Sequence, residues 1–385
     1  MSRRDEWRKK ALASIDAARE DLLAISHDIF EYAELAFEEF RSAERLRSFL
    51  RERGFRISDV EGLPTAFIAE KGTGSPVVAF MAEYDALPEI GHACGHNIIA
   101  AAAVGAGLGV ASFIEESGGT VRVIGTPAEE GGGGKIIMVD KGVFDDVDAA
   151  MIVHPSGAYM ADDHSYAIQG FDIQFIGKAA HAASGPQHGI NALDAAVEFL
   201  VSLNAFREHM TDDGRIHAII THGGSAVNVI PERSELKVAV RATTKEYLDE
   251  LIQQVERKVK GASISAGCQY SIKPRGLLCR EINVNRELSR LFEENFKSLG
   301  IPVAPRGDSK GSTDVGNVSH VVPTIQAYVG IGADVCHTVE FREASISQKG
   351  DEAVIDGAKV MALTAADILS DETVLERMRS SFRGE

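Results

Sequence analysis

The spacing of apolar positions predicts the elements of the first part of the chain. From Asp5 to Tyr32 apolar residues recur at helical spacing, which predicts one or two helices, and Glu38–Arg53 predicts another that ends at Gly54. Shorter apolar runs follow, and the turn-rich KGTGSP between the first two is typical of a hairpin. We predict strands at Ala66–Ala69, Val77–Glu83, Val121–Gly125 and Ala149–Val153. Strands that alternate with helices indicate an α/β sheet flanked by helices.

The order of elements changes after residue 168. The pattern there predicts a strand, a helix, two strands, a helix and a strand, namely Phe171–Ile176, Ala192–Phe206, Ile216–Thr221, Glu235–Arg241, Tyr247–Val259 and Ser263–Ile272. This β-α-β-β-α-β order is that of a ferredoxin-like α+β unit. We therefore predict an α/β protein with a mixed sheet in a main domain of residues 1–168 and 281–385. Residues 169–280 form the inserted domain.

Composition limits the partners and the compartment that we expect. The net charge of −17 over 385 residues argues against nucleic acid and anionic membrane surfaces. The N-terminus lacks the apolar segment of a signal peptide. The most apolar stretch, Asn97–Ile114, is mostly Ala and Gly, which favours a buried helix over a membrane span. The four cysteines form no CxxC pair, so we expect a reducing cytoplasm: Cys94, Cys268, Cys279 and Cys336.

The motif GHACGHN, Gly91 to Asn97, is the strongest local signal for chemistry. It places His92, Cys94 and His96 within five residues, just before a helix. In a non-helical turn the thiolate and the second imidazole can face one ion, and both ligands suit zinc and related divalent metals. The alternative is a buried structural thiol beside surface histidines.

A second motif, TPAEEGGGG, follows a predicted strand. If the chain is extended there, Glu129 and Glu130 point to opposite sides, so that one carboxylate can hold a metal ion and the other can act as a base. The glycines would allow a close approach of the backbone. The alternative is a solvated acidic loop.

Two single histidines complete the set of candidate ligands. His154 directly follows one apolar run, and His337 follows the run Ile325–Val329 and a turn. Either alone is more often structural than a ligand. Together with the two motifs they supply one thiolate, three imidazoles and two carboxylates at or near strand ends. Two metal ions about 3.5–4 Å apart need roughly that many ligands if one bridges, with one group left as the base.

Five motifs in this order resemble the M20 family of metallopeptidases, in its Cys-containing amidohydrolase branch. They are AEYDALPE, GHACGHN, GTPAEEGGGG, MIVHP and CHTVEF. The resemblance extends from SHDIFEYAELAFEE to the C-terminal helix. It implies a di-metal catalytic domain with two divalent ions, zinc or manganese with cobalt possible, held by Cys94, His96, Glu130, His154 and His337. It also implies Glu129 as the general base and Asp85 as a residue that orients a ligand.

The inserted domain matches the family as well, and the resemblance implies a lid and dimerisation domain. The histidine of GKAAHAAS, His181, would polarise the substrate carbonyl from the partner subunit of a homodimer. Asn228 and Arg241, in NVIPERSELKVAVRA, would bind the carbonyl and the carboxylate of a small-molecule substrate. Read without the resemblance, His181 is a surface histidine and Arg241 an ordinary charge at a strand end.

Two departures from the usual pattern narrow the subgroup. Asn97 stands where the branch most often has Asp, and GSTDVGNVSHVVPT (Gly311–Thr324) replaces the more usual GSEDF pattern. Both resemble the subgroup of aminobenzoyl-glutamate hydrolases, β-alanyl dipeptidase-like proteins and an aromatic-amine aminohydrolase. The sequence thus predicts a metal-dependent amidohydrolase or dipeptidase that cleaves an amide bond in a small carboxylate-bearing molecule.

Three alternatives to this function stay open. One is removal of an aromatic amine at the same metal site. Another is a cysteine hydrolase with Cys94 as nucleophile and His96 or His92 as base, which leaves the glutamates without a role. The third is a metal-binding protein without catalysis.

Overall fold

The computed structural model describes residues 2–308 and 310–384, which divide into two compact units. The first unit comprises Met1–His164, Ile282–Ser309 and Asp314–Glu385. The second comprises Ser165–Glu281 and Lys310–Thr313. The elements of both are numbered together in chain order.

A six-stranded mixed sheet organises the first unit. Its strands are β1 Arg56–Val60, β2 Leu63–Thr73, β3 Val77–Ala82, β4 Gly119–Gly125, β5 Ala149–Ser156 and β10 Thr324–Gly330. They lie in the order β1-β2-β4-β3-β5-β10. The pairs β4–β3, β3–β5 and β5–β10 are parallel, whereas β1 and β2 form an antiparallel edge. The predicted mixed sheet is confirmed, and four strands share one carboxyl edge, where functional groups gather in such sheets.

Helices surround this sheet. They are α1 Arg3–Ala17, α2 Arg19–Tyr32, α3 Phe40–Glu52, α4 His96–Ala111, α5 Ile114–Ser117, α6 Gly134–Asp140, α9 Arg286–Ser298, α10 Val315–Ser319, α11 Val339–Ala344, α12 Gln348–Ser370 and α13 Glu372–Arg383. Every residue of β3 is buried, as expected for a strand covered on both faces. Among the helices of the described ranges, none has the length and apolarity needed to cross a membrane.

Helix α4 lies at the centre of the first unit and is buried from His96 to Val110. It packs against the sheet and against α1, α2 and α12. Its small side chains allow these close approaches on all sides. The stretch at Asn97–Ile114 therefore contains a buried helix, as predicted.

The second unit is a four-stranded antiparallel sheet with two helices. Its elements are β6 Ala167–Ile176, α7 Ala192–Arg207, β7 Gly214–His222, β8 Arg233–Ala242, α8 Lys245–Ala266 and β9 Gln269–Cys279, with a short 3-10 turn at Pro186–His188. The strand order is β7-β8-β6-β9. Both helices pack on this sheet over a shared apolar core that includes Phe175 and Phe199. The element order and the pairing are those of the predicted ferredoxin-like fold.

Three local predictions need correction. The turn KGTGSP joins no hairpin, because β2 and β3 both pair with β4 and not with each other. Strand β1 was not predicted. The last strand of the second unit starts at Gln269 rather than Ser263, because α8 continues to Ala266 and ends on Gly267, whose φ of +71° suits glycine.

A fourth difference concerns the segment at residues 310–313. We predicted it in the main domain, but it belongs to the second compact unit. Two hydrogen bonds account for this: Tyr166 N donates to Gly311 O at 2.7 Å, and Arg241 Nη1 donates to Ser312 Oγ at 2.9 Å. A short segment held by such contacts has no apolar periodicity that the sequence could reveal.

We expect Gly105→Ala to destabilise the first unit, although alanine favours helices. A Cβ at Gly105 would lie 2.8 Å from Ala358 Cβ and 2.9 Å from Leu22 Cδ1, so two packed helices must shift. Overpacking of this kind costs about 1–3 kcal/mol, which exceeds the helix propensity gained. Urea unfolding measures the effect. In the control Gly261→Ala, on exposed α8, nothing lies within 4 Å of the new Cβ, and we expect unchanged or higher stability. Equal effects at both sites would contradict the packing argument.

A buried carboxylate precedes α3 and fixes two strained turns. Glu39 is fully buried, and its Oε1 accepts hydrogen bonds of 2.9 Å from Phe37 N and Ala128 N. Both of these residues have positive φ, 63° and 61°. Burial, together with the charge of Asp85, raises the pKa of Glu39 to about 7. The folded protein must therefore carry this group ionised above neutral pH at a cost in stability.

We expect Glu39→Gln to flatten the pH dependence of unfolding. Because the folded pKa of Glu39 is raised, its contribution is fully present below about pH 4.5 and is lost as pH rises to about 7, on the order of 2–3 kcal/mol. Glutamine keeps the accepting oxygen and cannot ionise. Urea unfolding at pH 5 and pH 8, in chelating buffer, measures the difference. The exposed neighbour variant Glu38→Gln should retain the wild-type profile; an unchanged profile in Glu39→Gln would refute the assignment.

Candidate metal centre

The predicted ligands of the first unit lie at the carboxyl edge of its parallel strands. Asp85 follows β3, Glu129 and Glu130 follow β4, and His154 lies near the end of β5. His154 is inside its strand rather than just after it, because β5 extends to Ser156. The shared edge brings together residues that are far apart in sequence.

Six of these residues form three overlapping groups of potential ligands. The ligand atoms within each group all lie within 4.8 Å of one another, and the groups are Cys94–His96–His154, Cys94–Glu130–His337 and His96–Glu129–Glu130. Cys94 Sγ is 3.4 Å from His154 Nε2. His337 Nε2 is 3.3 Å from Glu130 Oε1, and His96 Nε2 is 3.9 Å from the same oxygen. All five predicted metal ligands and the predicted base therefore lie in one cluster.

Asp85 uses both carboxylate oxygens to hold this cluster. Its Oδ1 lies 3.0 Å from His96 Nδ1, and its Oδ2 accepts from Glu130 N at 2.9 Å. Burial acts to raise the pKa of Asp85, but the charge and hydrogen bond of His96 outweigh burial and lower it. An ionised Asp85 keeps the proton of His96 on Nδ1 and leaves the Nε2 lone pair facing the cluster.

Local backbone geometry positions the two remaining imidazoles. His154 Nδ1 lies 2.8 Å from Pro155 O, which leaves Nε2 toward Cys94. The main chain at His337 has a φ of 64°, and its N–H donates to Ala93 O at 2.9 Å. That bond lays the segment before α11 alongside the GHACGHN turn.

The glutamate pair does not lie in an extended strand, so that part of the interpretation was wrong. Residues 129–132 form a turn that follows the left-handed Ala128, and both carboxylates reach the vicinity of His96. The turn depends on glycine, since a Cβ at Gly134 would lie 1.9 Å from Pro127 O. Burial and the charge of Glu83 raise the pKa of Glu129 well above its ordinary value. A group with a raised pKa is suited to accept and return a proton.

The donors of this cluster fit a divalent metal ion. His96 Nε2, Glu130 Oε1 and Glu83 Oε2 are buried atoms without a hydrogen-bond partner in the described part of the chain. Buried lone pairs that face one another are costly unless a cation lies between them. Burial would lower the pKa of His96, yet Asp85, Glu83 and Glu130 raise it well above its ordinary value, so the surroundings favour positive charge. Thiolate, imidazole and carboxylate ligands suit zinc-like ions.

Two residues near the cluster have surroundings that disfavour a cysteine hydrolase. His92 Nε2 bonds Ile29 O at 2.9 Å, and burial lowers its pKa to about 3, so His92 is a structural imidazole. The contact with Cys336, burial and the charge of Glu130 raise the pKa of Cys94 well above its ordinary value. This is opposite to the lowered thiol pKa of a nucleophilic cysteine.

The second unit contains the other predicted residues. His181 and Asn228 are exposed and adjacent, since Ala182 N donates to Asn228 O at 2.9 Å. His181 Nδ1 accepts from Ala183 N at 3.2 Å and from Ser184 N at 3.1 Å. The ring therefore carries its proton on Nε2, which leaves an N–H donor available.

Arg241 lies in β8, apart from that pair. Its Nη1 donates to Ser312 Oγ at 2.9 Å, and partial burial lowers its pKa from the usual value, though not enough to remove its charge. The structure thus brings Arg241 to the segment at residues 310–313.

Sequence reasoning missed a buried charge network beside the cluster. Lys135 is completely buried, and its Nζ lies 2.6 Å from Glu83 Oε1 and 2.6 Å from Asp314 Oδ1. Lys135 N also donates to Asp314 Oδ2 at 2.9 Å. Two signals were available: Glu83 ends a predicted strand two residues before Asp85, and Lys135 directly follows the glycine run. No pairing between them could be read without the fold.

Comparison with known proteins agrees with this geometry. Residues 165–265 match the family described as the peptidase dimerisation domain. The chain is 38% identical to Xaa-Arg dipeptidase of Mus musculus, over 98% of this chain and 92% of the relative. It is 31% identical to one of the two kinds of chain of the p-aminobenzoyl-glutamate hydrolase of Escherichia coli (strain K12), over 96% of this chain and 93% of the relative.

A solved structure shares the fold. A dinuclear metal-binding peptidase of the M20 family from Bacillus subtilis superposes with a TM-score of 0.75 at 24% identity, covering 92% of this chain and 99% of that chain. Similarity to hydrolases of amide bonds spans nearly the whole sequence. The chain therefore belongs to the M20 family, and within it to the metal-dependent amidohydrolases.

Proposed function

We propose that this protein hydrolyses the amide bond of a small molecule that carries a free carboxylate next to that bond. The observation that carries the proposal is the cluster of Cys94, His96, Glu129, Glu130, His154 and His337 around unpartnered buried donor atoms. The names of two relatives support the substrate class, since an Xaa-Arg dipeptide and p-aminobenzoyl-glutamate both have an amide beside a carboxylate.

Two divalent ions would share this cluster, with Cys94 as the bridging ligand. Cys94 belongs to the group with His96 and His154 and also to the group with Glu130 and His337. Each ion would then have three protein ligands, which leaves room for water or substrate, as catalytic sites require. Zinc or manganese suits this donor set, and cobalt is a workable substitute.

Glu129 would act as the general base and then as the general acid. The chemistry that the bound ions supply is polarisation of a carbonyl group and acidification of a water molecule. Glu129 would accept the proton of that water and deliver it to the leaving nitrogen. Asp85 would keep His96 and the backbone of Glu130 in place during the reaction.

The residues of the second unit would recognise the substrate. His181 has an Nε2–H donor that suits an amide carbonyl as negative charge develops on its oxygen. Arg241 would bind the carboxylate with its planar guanidinium, and Asn228, next to His181, would orient the carbonyl. We expect small-molecule substrates only, and no nucleic acid or membrane partner.

We further propose a homodimer formed through the second unit. Strand β7 is an edge of its sheet and exposes Ile219, which is 61% accessible, while α7 exposes Val201, which is 63% accessible. An open apolar edge strand is suited to pairing with a second chain. The match to a peptidase dimerisation domain over residues 165–265 supports this surface. His181 would then act on the substrate of the partner chain.

The compartment we propose is the cytoplasm. All four cysteines are free, which suits a reducing environment: Cys94, Cys268, Cys279 and Cys336.

We expect Glu129→Gln to lower kcat about 10²–10⁴-fold and to retain the wild-type metal content, because only the proton transfer is removed. Elemental analysis and an assay on dipeptides, N-acyl amino acids, aminobenzoyl-glutamate and an aromatic amine measure both quantities. The exposed control Glu115→Gln should behave as wild type. Full turnover by a metal-loaded Glu129→Gln would remove Glu129 as the base.

Chelation should abolish activity, and zinc or manganese should restore it. We expect about two ions per chain in the restored protein, counted by elemental analysis. Metal-free protein that remains active, yet loses activity to a thiol alkylator, would instead establish a cysteine hydrolase.

We expect Ile219→Lys to raise the dimer dissociation constant at least about tenfold, because a charge on an edge strand opposes pairing. Sedimentation velocity measures the association. Ile264→Lys on α8 is a matched control, since Ile264 is 71% accessible and lies outside the proposed surface. If His181 acts across the dimer, the monomeric variant keeps its metal and loses activity. A dimer unaffected by Ile219→Lys would place the interface elsewhere.

A further inference from the structure

Glu83 has one carboxylate oxygen that no protein group satisfies. The side chain is buried, its Oε1 is bonded by Lys135 Nζ at 2.6 Å, and its Oε2 makes no hydrogen bond within the described residues. That free oxygen lies 3.5 Å from His96 Nε2, which is also buried and unpartnered. Neither residue is free to turn to solvent.

The two facing atoms both present lone pairs. His96 Nδ1 lies within hydrogen-bond distance of Asp85 O and Oδ1, at 2.8 Å and 3.0 Å, so the ring proton belongs there and Nε2 is bare. A bare nitrogen opposite a bare carboxylate oxygen is unfavourable in a buried site unless a cation joins them.

The separation matches that of two ligands on one ion. Metal–nitrogen and metal–oxygen distances of about 2.0–2.2 Å in a tetrahedral site put two such donors roughly 3.4 Å apart. The 3.5 Å between Glu83 Oε2 and His96 Nε2 agrees with that spacing. Cys94 Sγ and His154 Nε2, in the same group as His96, are 3.4 Å apart.

Lys135 and Asp314 fix the orientation of this carboxylate. Lys135 Nζ holds Glu83 Oε1, and Asp314 in turn binds both Nζ and the backbone N–H of Lys135. One oxygen is thus anchored and the other is directed at the cluster. Because Glu83 and Asp314 are both paired with the one Lys135, the trio retains a net negative charge beside the metal centre.

We propose that Glu83 is a further metal ligand, which completes the coordination of the ion held by Cys94, His96 and His154 through its free Oε2. That ion would then have four protein ligands and serve mainly to hold the site together. The ion of Cys94, Glu130 and His337 would keep the open position. This inference rests on the proposed function for the presence of the ions.

The test is cobalt binding by Glu83→Gln, followed by visible absorption and titration calorimetry. We expect one of the two ions to bind at least about tenfold more weakly, and the absorption bands of that ion to change at saturation because an oxygen ligand is lost. Asp314→Asn is the control: it alters the anchor but not the ligand set, so its spectrum at saturating cobalt should equal that of wild type.

Glu83→Asp provides a second variant should Glu83→Gln not fold. Aspartate keeps the charge and is one methylene shorter, so a ligand role predicts an altered spectrum, whereas a purely electrostatic role predicts the wild-type spectrum. A wild-type spectrum in whichever variants fold would overturn the proposal. Wild-type protein that takes up no cobalt would refute the proposed function itself, which separates the two failures.

Discussion

Buried negative charge at the carboxyl edge of the main sheet is the constraint on which the rest of the first unit depends. Asp85, Glu83 and Asp314 are buried there almost completely. Ionised carboxylates in such a place are unfavourable unless each finds a proton donor or a cation. Lys135, the ring N–H of His96 and the backbone N–H of Glu130 meet part of that demand. The donor atoms left over mark where metal ions would meet the remainder.

The parallel strands make this concentration of charge possible. Because β3, β4, β5 and β10 run in one direction, their last residues meet at one edge, and helices cover both faces of the sheet. The central helix α4 contributes through its small side chains, since its glycines let α2 and α12 pack closely around it. A rigid apolar frame of this kind holds polar groups in a fixed geometry that a solvated loop would not maintain.

Much of this fold and site could be predicted from the sequence, because it rests on short local patterns. Apolar periodicity located the helices and most strands, and the strand-end motifs located Cys94, His96, Glu130 and His154. Pairing between distant segments was less accessible: KGTGSP looks like a hairpin, yet the strands on its two sides pair with β4. The bond between Lys135 and Asp314 spans 179 residues, and no spacing rule links them. The left-handed turn at Ala128, which sets the directions of the two glutamates, depends on Glu39 and on no local signal.

Asp85 connects a ligand to the turn that carries the proposed base. One of its oxygens faces the His96 ring and the other accepts from the backbone of Glu130, whose neighbour is Glu129. Small motions of the ring and of the acidic turn are therefore coupled through a single carboxylate. The distance between the proposed base and the metal centre is thus set by one shared hinge point, so that movements elsewhere in the chain can occur without changing that distance.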